Sequence, residues 1–366
     1  MAGGRTYRFS LALVGEDYEP VEDVYVEVDD RGVISSIGRG SGGTRLGGVA
    51  LPGPVNAHVH TGDYALAGAG LQLSLEDLVA PPGGLKHRLL ESMRQEDLQR
   101  SIEGALRYMK STGSLIAADF REGGINGVAA ARRAAARARY RLIELGRPSG
   151  NDVEALLDVA EGLGLSSPLD YGEYLRELVT AASSRGKLIA AHVAETLRAR
   201  ESGDLEMLLE AGRPSFVVHG TYLSEEDLAT LAEERVGLVA CPRANAFFSG
   251  SSPPLAAALR AGVEVALGTD NTGWVAPDMW REMEAALRLL RRQDPSLADP
   301  KVVLRMSSLS GAKILGLERV GVIEEGWLAH IVVLDESAIL PSVDVPSAVV
   351  LRGGAGHLKA AIGLWP

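Results

Sequence analysis

His58 and His60 stand two residues apart at the end of an apolar run, Leu51-Pro52-Gly53-Pro54-Val55-Asn56-Ala57-His58-Val59-His60. In a strand, residues two apart face the same way. Both imidazoles can therefore point at one spot, the geometry that two ligands of one metal ion need. His192 ends a later apolar run, His219 ends the one after it, and Asp270 follows another. Imidazoles joined by a carboxylate suit a single borderline divalent ion, zinc first, with iron or manganese as alternatives. Water is a poor nucleophile at neutral pH, and bound zinc can lower its pKa to about 7, so these residue types point to hydrolysis. Taken singly, each histidine reads as a satisfied core residue and Asp270 as a helix cap. Their joint placement at strand ends favours one shared site.

Those strand ends belong to a regular alternation. From about residue 50 to 315, short apolar runs alternate with amphipathic stretches. The runs are 49–60, 114–120, 140–145, 187–192, 215–219, 236–241 and 263–268, and a weaker candidate at 165–171 fills the one gap. Helical periodicity covers 97–110, 152–163 and 225–233 between them. Alternating strands and helices imply a parallel sheet, and eight units imply closure into a (β/α)8 TIM barrel, whose active sites form at the carboxyl ends of the strands. Both chain ends read as β instead. Val24, Val26 and Val28 alternate with other residue types, Asp29-Asp30-Arg31-Gly32 supplies a turn, and 33–37 returns; 329–334 and 347–351 are apolar runs near the other end. The expected organisation is an α/β barrel over 51–319 and a small composite β-sandwich built from 1–50 and 320–366. The Ala/Arg-rich stretch 129–139 reads as an outer barrel helix, alanines inward and arginines outward, because no aromatic residues interleave as a nucleic-acid surface would require.

Composition narrows the classes. Apolar residues make up 46% and charged residues 23% of 366, so a large core is available. A net charge of −11 argues against a nucleic-acid partner. The single cysteine, Cys241, excludes a disulfide scaffold and Cys-rich zinc modules; it reads as a buried strand residue rather than a nucleophile. No leader pattern and no run of 18 or more apolar residues is found, so no membrane association is expected and the cytoplasm is the expected compartment. A homo-oligomer is compatible with all of this.

The motifs around these residues carry a resemblance. The run ending in His58 and His60, then His192-Val193-Ala194-Glu195-Thr196, Val217-Val218-His219-Gly220, Cys241-Pro242-Arg243-Ala244-Asn245 and Gly268-Thr269-Asp270-Asn271, resemble the amidohydrolase superfamily. They look closest to its branch of cytosine, guanine and S-adenosylhomocysteine deaminases and triazine chlorohydrolases. The resemblance covers nearly the whole chain, and 321–326 is similar to that family's C-terminal signature. It implies His58, His60 and His192 as metal ligands, Asp270 as ligand and base for the water, and His219 as a group that orients the water or stabilises charge. It also implies Glu195 as the carboxylate that carries a proton to the substrate. Three positions past His192, Glu195 has entered the loop above the metal; its plainer reading is an exposed loop or capping charge. Two departures stand out: Ala244 replaces a usual serine, and His330 stands where an aspartate is common. No lysine lies on the expected fourth strand, so one metal rather than two is expected. The Cys-liganded deaminase signature P-C-x-x-C is absent.

The leading reading is thus a metal-dependent hydrolase that deaminates an aminated heterocycle, a purine, a pyrimidine or a relative. The alternatives are hydrolysis of a cyclic amide of the imidazolone kind, which needs no strict Glu195, and a non-catalytic barrel, which would be expected to lose ligands. Other residues near the barrel mouth are candidates for substrate contact. Lys86 and His87 lie in the long segment 71–90, which holds Pro81-Pro82-Gly83-Gly84, shows no clear helix or strand pattern and reads as a lid. Arg121 and Glu122 follow the second strand, Arg147 the third, and Arg243 and Asn245 the seventh. Trp274 would stack on a flat ring or pack its own loop. Each has the plainer reading of a surface charge or loop hydrogen bond; together, basic groups at several strand ends suggest a polar or anionic small molecule.

Overall fold

The computed structural model describes residues 4–40, 42–81, 83–150 and 152–363; Pro82 of the expected lid lies outside them. Five strands come first: β1 (Arg5–Val14), β2 (Glu19–Val28), β3 (Ile34–Arg39), β4 (Thr44–Arg45) and β5 (Val49–Pro52). Val24, Val26 and Val28 are buried, as their period-two spacing requires. The Asp29 turn closes the hairpin, with the Arg31 and Val33 amides donating to the Asp29 carboxylate.

Next come β6 (Val55–His60), β7 (Ile116–Arg121), β8 (Arg141–Gly146), β9 (Gly162–Leu165), β10 (Leu188–Val193), β11 (Phe216–His219), β12 (Gly237–Ala240), β13 (Val265–Leu267) and β14 (Asp270–Asn271). Every pairing in this sheet is parallel. β13 pairs with β12, and β14 pairs with β6. The last two segments are halves of one eighth strand, interrupted at Gly268 and Thr269, and they close the sheet into a (β/α)8 barrel. An apolar cluster that includes Ile116, Phe120, Leu145, Phe216 and Val239 fills it. Outer helices such as Gly124–Ala138 pack onto the strands, with Ala130, Ala131, Ala134 and Ala135 buried and Arg132 and Arg133 exposed. Among the described residues no helix is long and apolar enough to cross a membrane.

β15 (Ile331–Leu334) and β16 (Leu358–Ile362) return to the first sheet. Its order is β16-β15-β5-β1-β2-β3, with β4 also pairing with β1, so both chain ends build one seven-stranded sheet. β5 runs into β6 across Gly53 and Pro54, which ties this sheet directly to the strand bearing His58 and His60.

Four expectations are corrected. The fourth barrel strand is 162–165, not 165–171; the latter stretch holds the short helix Pro168–Asp170, started by the Ser167 cap and Pro168. The two glycines that hide this strand from a hydropathy reading are required by its neighbours. A Cβ on Gly162 would lie 2.3 Å from the Leu188 carbonyl oxygen, and one on Gly164 would lie 2.8 Å from that of Leu145. Its early start also ends the preceding helix at Val159 instead of 163. Residues 347–351 are not a strand but part of the helix Val345–Arg352, because Asp344 caps it through the Ser347 amide and Pro346 lies in its first turn. The segment 71–90 is not irregular either: it carries the helices Leu75–Val79 and Leu85–Ser92, the first capped by Ser74.

His330, just before β15, is 2% exposed, and neither ring nitrogen has a partner. Burial pushes its pKa down to about 4. The unfolded chain therefore binds this proton as pH falls through about 6.5, while the folded chain resists it down to about 4, so stability is lost across that window. Replacing His330 with Leu removes the penalty. We expect chemical denaturation at pH 7 and pH 4 to show a loss on acidification smaller by about 3 kcal/mol in the variant; equal losses would contradict this account of His330.

Candidate active site

β6 delivers His58 and His60, β10 delivers His192, β11 ends at His219, and β14 starts at Asp270. All five sit at the carboxyl ends of barrel strands. His58 Nε2 lies 3.2 Å and His60 Nε2 3.4 Å from the same oxygen, Asp270 Oδ1. The ring centroids of His58 and His192 are 5.0 Å apart, and those of His192 and His219 4.9 Å. His58, His60 and Asp270 form one set whose ligand atoms lie within 4.8 Å of one another; His58, His192 and His219 form a second, and Glu195, His219 and Asp270 a third. His192 Nε2 and His219 Nε2 are buried with no partner. The free His192 nitrogen, converging with those of His58 and His60 beside the Asp270 carboxylate, fits a borderline divalent cation, and His219 stands next to it.

The backbone bends sharply at three of these positions. φ is +48° at Ala194, +74° at His219 and +61° at Asp270. Left-handed backbone costs a non-glycine residue of order 1–3 kcal/mol and collects at functional sites. At His219 the Gly220 amide donates back to the Val218 carbonyl, a three-residue turn that lifts the imidazole off the strand line.

Neighbours fix the ring orientations. His60 Nδ1 donates to the Phe120 carbonyl at 3.1 Å, with Glu122 Oε1 3.0 Å away, which leaves its Nε2 lone pair facing the cluster. Asn245 Nδ2 donates to His219 Nδ1 at 3.1 Å, which leaves Nε2 of that ring as the N–H, 3.7 Å from Glu195 Oε2. Asn56 bonds Thr269 twice, through Nδ2 to Oγ1 and through Oδ1 from the amide.

Burial and charge set the protonation. Burial, reinforced by Lys86, pushes His60 down to about 3; burial pushes His219 down to about 4 and His192 well below its usual range. Neutral rings leave His60 and His192 lone pairs for a cation, while neutral His219 keeps its Nε2 N–H as a donor. Burial alone would raise Asp270, but the hydrogen bond from His58 and the surrounding imidazoles outweigh it and hold the carboxylate well below the ordinary range. Glu195 behaves oppositely: burial, then the Asp270 charge, push it up to about 8 against the pull of Lys86 and Arg147. It holds a proton at neutral pH beside a carboxylate that does not.

A cavity of about 330 Å³ opens above the cluster, bounded by His60, His192, Glu195, His219, Asp270 and Asn271. Of the sequence candidates for substrate contact, Lys86 and Arg147 line it. Lys86 is 2% exposed and pairs with Glu122 Oε1 at 2.8 Å and Asp63 Oδ2 at 3.1 Å. Glu122 stands behind His60 and also takes Arg121 Nη2 at 2.6 Å. The others do not line the cavity. Arg121 packs under Gly62, where a Cβ would lie 2.4 Å from its Nη2. His87 Nε2 meets the Val79 carbonyl, and Arg243 ties the Ala276 carbonyl and Glu282. Trp274 packs its own loop, donating to the Ala69 carbonyl. The cavity also holds residues that the sequence reading missed: Leu75, Glu76, Val79, Ser166, Arg198 and Asp204. Only the Ser74 cap, which announces a helix start inside the lid, was a readable signal for Glu76.

A model described as the amidohydrolase family matches residues 49–355. The chain is 33% identical over 330 residues to an uncharacterized protein of Methanocaldococcus jannaschii, covering 85% of each. It is 30% identical over 349 residues to a 5-methylthioadenosine/S-adenosylhomocysteine deaminase of Thermococcus onnurineus, covering 86% of this chain and 81% of the relative. Among solved structures it is similar to an adenosine deaminase from Xanthomonas campestris with bound zinc, at a TM-score of 0.85 and 20% identity, covering 99% of this chain and 92% of that one. At that identity the last likeness speaks to the fold.

Gly268 generates a test of the cluster. A Cβ there would lie 2.7 Å from His58 Cβ and 2.9 Å from the His58 backbone nitrogen and oxygen. Gly268→Ala should therefore push β13 and β14 off β6, part Asp270 from His58, and lower both metal content and stability, the latter by about 1–3 kcal/mol. Thermal unfolding and elemental analysis check this; an unchanged midpoint with full metal would show the seam to be slack.

Proposed function

The chain belongs to the amidohydrolase family of metal-dependent hydrolases, and on that premise we propose that it deaminates a small aminated heterocycle with one zinc ion held by His58, His60, His192 and Asp270. The observation that carries this reading is the placement of Glu195, a half-buried carboxyl group that shares one cavity with His192, His219 and Asp270 and lies 3.7 Å from His219 Nε2; burial and the Asp270 charge push it up to about 8 while Asp270 stays ionised. Two carboxyl groups pushed apart in this way suit opposite halves of a proton transfer. The deaminase name of the Thermococcus relative and the zinc bound by the Xanthomonas enzyme support the reaction and the ion.

Zinc, when bound, lowers the pKa of water to about 7 and so makes it a nucleophile at neutral pH. Asp270 accepts a proton from the attacking water. The water oxygen bonds to the ring carbon that bears the amino group. Glu195 gives its proton to the ring nitrogen, takes up the proton that Asp270 removed from the water and delivers it to the amino group, and recovers a proton from the newly bonded hydroxyl as the carbon–nitrogen bond breaks and ammonia leaves. The His219 Nε2 N–H faces the oxygen on which charge develops. Leu75, Val79, Pro81 and Leu169 offer an apolar wall for a flat ring, while Lys86 and Arg147 offer donors for its oxygen or nitrogen acceptors. The substrate is accordingly a polar or anionic heterocycle.

Elemental analysis should find about one divalent ion per chain, zinc foremost. Ammonia release should be detected from a panel of adenosine, 5-methylthioadenosine, S-adenosylhomocysteine, guanine and cytosine. Glu195→Gln keeps size and hydrogen bonding but carries no proton. It should cut turnover by about 10² to 10⁴ with metal content unchanged. Near-normal turnover with metal retained would remove Glu195 from the chemistry and favour cyclic-amide hydrolysis; lost metal would make Glu195 a ligand or its support.

A further inference from the structure

The proposed chemistry uses Glu195 but leaves unexplained what holds it. β10 ends at Val193, and the chain turns at Ala194, whose φ of +48° is one that a residue with a side chain rarely adopts unless held. Both backbone groups of Ala194 are held. Its amide donates to Asp204 Oδ2 at 2.7 Å, and its carbonyl accepts from the Tyr222 amide at 3.1 Å. Asp204 begins the helix Asp204–Ala211, is 1% exposed, and lines the same cavity as Glu195. A carboxylate is a costly group to bury. Its Oδ2 hydrogen bond is to the one amide whose placement decides where the next residue, Glu195, points.

We propose that Asp204 is a positioning residue for the proton carrier: its carboxylate clamps the Ala194 amide, holds the left-handed turn, and so aims Glu195 at the reacting atoms. The clamp acts through the backbone and requires no contact between Asp204 and substrate. The role rests on the deaminase reading for its catalytic consequence, but the clamp itself is a property of the folded chain. A carboxylate serving only to start its helix would have no reason to reach back ten residues to this amide.

The test uses the metal-loaded full-length protein and three variants. Asp204→Asn keeps an oxygen acceptor for the Ala194 amide. Asp204→Ala removes it. Asp204→Ala combined with Ala194→Gly removes it while giving the turn a residue that adopts positive φ without strain. Hydrogen exchange at the Ala194 amide is read first and needs no substrate. It should be slow in the parent and in Asp204→Asn, and faster in Asp204→Ala by a larger factor than at the neighbouring β10 amides. Equal protection in Asp204→Ala would overturn the clamp whatever the reaction proves to be. With ammonia release from whichever panel compound the parent turns over, Asp204→Ala should lose about 10- to 100-fold in kcat, the scale of a misplacement near 1 Å, with KM changed less than about threefold and metal retained. Asp204→Asn should stay near the parent, and adding Ala194→Gly to Asp204→Ala should recover most of the loss. A uniform fall in kcat, metal content and melting temperature that glycine does not rescue would reduce Asp204 to a structural residue and overturn the proposal. A parent inactive on the whole panel counts against the deaminase reading instead, and the exchange result still decides the clamp.

Discussion

The Thr269 amide donates to the His58 carbonyl at 2.9 Å, and this contact is where the barrel closes. Everything at the site depends on it. The eighth strand must leave β12, cross to β6 and present Asp270 within two residues, and it can do so only because Gly268 lets the backbones touch. Asn56 then locks the seam from the side-chain direction through its two bonds to Thr269. The parallel barrel thereby brings residues 58, 60 and 270, far apart in sequence, to a common oxygen. A barrel left open at this edge would keep every one of these residues and lose their convergence.

Around that seam the protein buries an unusual amount of charge. Lys86, Arg121 and Arg147 are interleaved with Asp63, Asp119 and Glu122, so cations and carboxylates match in number. Buried ion pairs of this kind gain little net stability over apolar packing, because desolvation offsets the attraction. What they supply is fixed position. Glu122 braces His60 and Lys86 at once, while Asp63 anchors Lys86 and takes the Asn271 amide group. The lid segment is thereby tied to the strands that carry the metal-ligand candidates.

The cluster was legible because its residues are few, polar and placed at the ends of apolar runs: a histidine there has no hydropathic reason to be present. The barrel was legible because seven of its strands are continuous apolar stretches. The fourth was not, since Gly162 and Gly164 answer to carbonyl oxygens on neighbouring strands that hydropathy does not register. The terminal helix Val345–Arg352 was missed because its valines favour strands, while the capping Asp344 and Pro346 decided otherwise. Substrate-facing residues were least legible. Arg121, Arg147 and Lys86 look alike in sequence, and only the packing separates the guanidinium that braces a loop from the cations that reach the cavity. Asp204 shows the same limit, because its partner is a backbone amide whose significance lies in a dihedral angle.

The pairing of β5 with β15 joins Val49 to Leu334. A ribosome delivers these segments at widely separated times. The hairpins of β1, β2 and β3 can form as soon as they emerge, but the edge that β5 presents must wait, uncovered, until nearly the whole barrel has been synthesised. Contacts this distant in sequence slow folding and leave strand edges open to wrong partners. The protein's exposure to misassembly is therefore greatest during its own synthesis, and it ends when β15 slots against the waiting edge.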